Sequence, residues 1–196
     1  MTKITGKNVT DLFTASAIYG TLFIEMEHNY YWNETWTQEE ERDVVKGLFE
    51  SQVMKYRYNW DSPLIKRLLN GALVRELNKN FNSVLNNENK KKLYIYSTHD
   101  TEVAGLMSAF NIFNGMPPPF GAAILLELHQ KKNSSGKSGE DFFVKVFYYN
   151  ETVINSGFPH SVQWRDCQDL YDCPFNQYLD STKHLLYEDY DKECNN

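Results

Sequence analysis

Leu93-Tyr94-Ile95-Tyr96-Ser97-Thr98-His99-Asp100-Thr101-Glu102-Val103-Ala104-Gly105-Leu106-Met107-Ser108-Ala109-Phe110 changes its hydrophobic period midway, and that change decides the fold. Leu93 to Tyr96 is a short aromatic and aliphatic run bounded by Lys90, Lys91 and Lys92 on one side and by Ser97 and Thr98 on the other, which predicts a buried central parallel strand. From Val103 the apolar residues recur at i, i+3, i+4 and i+7 (Val103, Leu106, Met107, Phe110), the stripe of an amphipathic helix. Asp100 or Thr101 is positioned to cap that helix, and Glu102 complements its dipole. A strand followed at once by a helix is an α/β signature. His99 and Asp100 fall at the junction, where backbone N–H groups and the positive helix end favour an anion.

Flanking segments extend the pattern. Thr10 to Tyr31 reads as a helix capped by Thr10, with Asp11 on its dipole and Gly20 as a point of division. Asn29 to Trp36 is an aromatic loop. Thr37-Gln38-Glu39-Glu40 is a capping box, Thr37 at the N-cap and Glu40 at N3, opening a helix through Val44, Val45, Leu48, Phe49 and Val53. Ser62-Pro63 is a cap followed by proline at N1, and the apolar positions from Leu64 to Leu85 carry a long helix. After Asn114-Gly115 and the prolines 117 to 119, Ala122 to His129 and Asp141 to Tyr149 read as two strands of a hairpin, the second alternating Phe143, Lys145, Phe147 against Val144, Val146, Tyr148. Their connection is polar and rich in Gly and Ser. A short helix is predicted after Cys173-Pro174.

Composition excludes several classes. The 196 residues are 41% hydrophobic and carry a net charge of −6, so there is no basic face for a nucleic acid. No stretch is apolar for the ~18 residues of a membrane span. Neither a C-x-x-C pattern nor a Cys/His cluster indicates zinc, and no P-loop or G-x-S-x-G elbow is present. No metal and no cofactor is expected.

The string Tyr96-Ser97-Thr98-His99-Asp100-Thr101, followed by Asn114-Gly115, Pro118-Pro119-Phe120 and Leu125-Leu126-Glu127-Leu128, resembles the histidine acid phosphatases of the large-clade histidine phosphatases. The likeness continues in order through Asp11-Leu12-Phe13, Glu25 with His28-Asn29, Tyr148-Tyr149-Asn150-Glu151-Thr152 and Glu193-Cys194. It implies a phosphoglycerate-mutase-like three-layer α/β sandwich, here partial, with residues 1–60 in a helical cap and 61–196 in the C-terminal part of the α/β domain. It also implies hydrolysis of a small phosphate monoester through a phosphohistidine, with Asp100 as proton donor and His99 binding phosphate. Family members carry the nucleophile in an RHGxRxP motif near their N-terminus. None of His28, His99, His129, His160 and His184 stands in such a string. The chain is therefore read as the C-terminal part of a longer enzyme, inactive alone, and the rival reading is a non-enzymatic remnant.

The resemblance further implies a disulfide between Cys167 and Cys173, with Cys194 left over. N-x-S/T sequons at Asn8, Asn33, Asn133 and Asn150 agree with a lysosomal or secreted glycoprotein. Homodimerisation of the complete protein stays open.

Overall fold

Capping side chains set where the first three helices begin. In the computed structural model, which describes residues 6–30, 37–88, 90–136, 138–150 and 159–194, helix α1 spans Leu12–Glu27. Its N-cap is Asp11 rather than Thr10. The Asp11 carboxylate accepts from both the Thr14 backbone N–H, at 2.8 Å, and the Thr14 hydroxyl, at 2.7 Å. The Thr14 backbone bond, first among these interactions, holds the Asp11 carboxyl below its ordinary value. Gly20 does not divide the helix. Helix α2 spans Gln38–Asp61, and its capping box is reciprocal: Thr37 N–H donates to Glu40 Oε2 at 2.8 Å and Glu40 N–H to Thr37 Oγ1 at 3.2 Å. Helix α3, Pro63–Leu85, begins as its sequence predicts, with the Ser62 hydroxyl accepting from Ile65 N–H and Pro63 at the first helical position. Helix α4 spans Asp100–Ala109.

The chain divides into two compact units, residues 1–59 with 115–117, and residues 60–114 with 118–196. In the first, Tyr19 of α1 stacks on Phe23 and meets Phe49 of α2 at 5.6 Å between ring centroids, while the Ser16 hydroxyl bonds the Gln52 side chain. Arg57 Nε donates to the carbonyl of Gly115, which adopts a φ of +77 that a side chain would resist. Tyr31 to Trp36, most of the predicted aromatic loop, and the sequon at Asn33 lie outside the described residues.

The second unit is built on an antiparallel hairpin. Strands β1, Ala123–Gln130, and β2, Phe142–Tyr149, pair in register from Ala123 with Tyr149 to Gln130 with Phe142. The alternation read from β2 is realised: Phe142, Val144, Val146 and Tyr148 are buried, and the intervening residues are half-buried. Short strands β3, His160–Ser161, and β4, Cys173–Pro174, both pair with β2. Helix α5, Phe175–Thr182, follows β4 as predicted, and α6, Tyr190–Cys194, ends the described chain. The core gathers Val74 of α3, Leu106 and Phe110 from α4 and its C-cap, Val144 and Val146 of β2, Trp164, and Tyr178 of α5. Phe110, Trp164 and Tyr178 form an aromatic group with centroids 4.7 to 6.4 Å apart. Cys167 and Cys173 are disulfide-bonded, with Cα atoms 5.3 Å apart, and both sulfurs sit within this core. Cys194 is an exposed thiol.

Helix α3 is fastened to the C-terminal segment. Arg67 donates to the carbonyl of His184 and to Glu193, each at 2.7 Å, and Arg75 lies over the Tyr187 ring. Gly71 is the closest point, since a Cβ there would strike the Leu185 carbonyl and the Tyr187 ring.

The strand predicted at residues 93–96 does not form. Leu93 to Tyr96 is not a buried parallel strand: the segment joins no sheet, with Leu93 73% and Ile95 81% exposed. A strand is held by its ladder partners, and among the described residues none lies alongside this segment. The Tyr96 hydroxyl accepts from Asn80 of α3 at 2.8 Å.

Candidate active site

His99 is the residue that turns the chain into α4. Its backbone is extended, with φ −111 and ψ 166, and its carbonyl takes the first helical bond from Val103 N–H at 3.1 Å. His99 is therefore the N-cap, in place of the predicted Asp100 or Thr101, and its side chain makes no capping bond to the helix. Asp100 becomes the first helical residue. One of its oxygens, Oδ1, accepts from the Thr101 backbone N–H at 2.7 Å, a donor the helix leaves without an intrahelical partner. Both His99 and Asp100 are exposed.

The next residues organise the first turn. The Thr101 hydroxyl donates to Glu102 Oε2 at 3.0 Å. Burial pushes the Glu102 carboxyl up, but its bonds to Thr101, to its own backbone N–H and to Thr98, with the charge of His99, outweigh burial and hold it below its ordinary value. The turn thus carries an imidazole, two carboxyl groups and a hydroxyl at the positive end of a helix. Chemically such a set can bind an anion and exchange a proton with it. Thr101 escaped the sequence reading as a bridge between the two acids; the adjacency Asp-Thr-Glu was visible, but which oxygen each donor would select was not.

Three arginines have structural partners. Arg57 holds Gly115, Arg67 the C-terminal segment, and Arg75 the Tyr187 ring. Arg165 lines a shallow hollow of about 360 Å³ with Met107, Asn111, Tyr148, Ser161 and Gln163, at the opposite end of α4 from His99 and Asp100. Among the described residues no group of three His, Cys, Asp or Glu could hold a metal ion, and no helix is long and apolar enough to cross a membrane.

Residues 2–149 match the family model described as the histidine phosphatase superfamily (branch 2). The chain is 28% identical over 193 residues to the prostatic acid phosphatase of Bos taurus, an alignment covering 98% of this chain and 46% of that protein. It is 29% identical over 195 residues to the prostatic acid phosphatase of Mus musculus, covering 99% of this chain and 48% of the other. Against the lysosomal acid phosphatase of Xenopus laevis it is 28% identical over 194 residues, covering 97% and 41%. The chain spans about half the length of the curated relatives it matches. With its mixed helix-and-sheet architecture, three quarters of its length matched and its His-Asp turn at the mouth of a helix, the chain belongs to the histidine phosphatase superfamily, branch 2.

Proposed function

We propose that this chain supplies the proton-donor half of an acid phosphatase that hydrolyses phosphate monoesters through a phosphohistidine. The observation that carries the proposal is the first turn of α4. There the Asp100 carboxyl sits at the positive end of the helix with one oxygen engaged by the backbone, beside a His99 ring that the helix does not use. In this reading a histidine from an RHGxRxP segment attacks phosphorus in line and the ester P–O bond breaks. Asp100 gives its proton to the leaving oxygen, then takes one from the water that cleaves the P–N bond. His99 binds a phosphate oxygen as charge develops on it. Residues 1–60 then belong to a cap and 61–196 to the catalytic domain. The names of the prostatic and lysosomal relatives support a lysosomal or secreted setting, as do the disulfide and the sequons.

The proposal is tested with p-nitrophenyl phosphate near pH 5. The 196-residue chain alone should not exceed background. A polypeptide carrying RHGxRxP ahead of this chain should turn over, and His99→Ala in it should weaken binding of phosphate or vanadate. Robust turnover by the 196 residues themselves would mean that they hold a nucleophile of their own.

A further inference from the structure

Asn133-Ser134-Ser135 stands in the connection between β1 and β2, at the tip of a hairpin whose strands are eight residues each. The backbone around it is pinned. Ser134 N–H and Ser134 Oγ both donate to the Lys131 carbonyl, at 3.3 and 2.8 Å, Gln130 Nε2 donates to the Ser134 carbonyl, and Ser135 Oγ donates to Asp141 Oδ2 at 2.8 Å. Asn133 itself takes a left-handed φ of +62, which asparagine tolerates better than most residues. Its side chain is exposed and enters no hydrogen bond or ion pair among the described residues. An ordered turn thus presents an unengaged amide, two residues before a hydroxyl, on the projecting end of a hairpin. A bulky polar group attached there would displace no core side chain.

We propose that Asn133 is an attachment site for an N-linked oligosaccharide. The inference rests on the secretory setting given above, because only there does the chain meet a lipid-linked oligosaccharide diphosphate and its membrane transferase. In the transfer, Asn133 Nδ2 forms a bond to the anomeric carbon while the C–O bond to the lipid diphosphate breaks. The amide proton passes to the transferase. The glycan stands beside Gln130, the last residue of β1, whose outer edge has no ladder partner among the described residues. It therefore also obstructs the approach of a second strand to that edge.

The test expresses the full chain behind a cleavable leader in a eukaryotic secretory host and maps the peptide containing Asn133 before and after enzymatic deglycosylation. A glycan on Asn133 is expected, lost in Asn133→Gln and in Ser135→Ala and kept in Ser135→Thr, which preserves both the sequon and the hydroxyl that bonds Asp141. Light scattering should show more self-association after the glycan is removed from the same protein, and equal association would refute the shielding role. A bare Asn133 with sugar on Asn8 or Asn150 overturns the assignment while leaving the secretory reading standing. Secreted protein bare at every sequon overturns both, and neither result bears on the phosphatase chemistry, which is assayed separately.

Discussion

The β1–β2 hairpin and the segment from Leu93 to Tyr96 look alike in sequence and end up opposite in structure. Both are aromatic and aliphatic runs between polar boundaries. The hairpin buries alternate residues of β2, with Val144 1% exposed, whereas Ile95 is 81% exposed. The difference lies in where the partner comes from. Each hairpin strand finds its partner directly across the connection 131–141, so the loop-closure cost is modest and the backbone groups that face each other across the ladder are paired. The segment before His99 has strand composition but no partner strand among the described residues, and composition alone does not fix a strand.

Two substitutions separate these regions, beginning with the larger effect, and two glycine replacements elsewhere test the helices. Phe142→Ala removes a buried ring from β2 and should destabilise by about 3–5 kcal/mol in urea unfolding. Ile95→Lys, in the open segment, should change stability by no more than about 0.5 kcal/mol. It should also lower concentration-dependent association, because a charge on a segment with no ladder partner among the described residues blocks edge pairing. Comparable losses at both positions would show that Leu93 to Tyr96 is packed after all. Next, Gly71→Ala drives a methyl group into the Leu185 carbonyl and the Tyr187 ring and should cost about 1–3 kcal/mol. The same change at Gly20, where an added Cβ meets nothing within 4 Å, should be neutral or slightly stabilising.

The smallest effect concerns a cap. Thr37→Ala should cost about 1 kcal/mol through loss of the hydroxyl that accepts from Glu40 N–H. The backbone and then the side chain of Thr37 hold the Glu40 carboxyl below its ordinary value. A carboxyl whose folded value is depressed stabilises the fold above its unfolded value, and that contribution disappears as pH falls through the depressed one. The difference between wild type and Thr37→Ala, followed by helicity and unfolding, should therefore narrow on acidification below the ordinary carboxyl range. A difference independent of pH would mean that the Thr37 hydroxyl, unlike its backbone N–H, adds nothing to the hold on the Glu40 carboxylate.

Local chemistry explains what could be read from the sequence. The Thr37–Glu40 box and the Ser62–Pro63 start depend on contacts within a few residues, the alternation of β2 follows the two-residue period of a strand, and each took the form its sequence predicted. Two caps moved, from Thr10 to Asp11 and from Asp100 or Thr101 to His99. In both places several acceptors are adjacent, and backbone dihedrals decide which of them the first turn uses. Long-range fastenings left no local signal. The pairing of Arg67 with Glu193 spans 126 positions and depends on the C-terminal segment folding back along α3. At the candidate site the identities of His99 and Asp100 were legible, but the use of Asp100 Oδ1 by the Thr101 N–H required coordinates.

The central claim is that Asp100 delivers a proton to a leaving alkoxide, and the most direct test varies the leaving group. In the polypeptide that also carries RHGxRxP, Asp100→Asn should lower turnover of an alkyl phosphate by roughly 10²–10⁴. The loss should be much smaller for p-nitrophenyl phosphate, whose phenolate leaves with little protonation. Equal losses on the two substrates, or an alkyl phosphatase indifferent to Asp100→Asn, would contradict the account and leave the His-Asp turn as no more than the start of a helix.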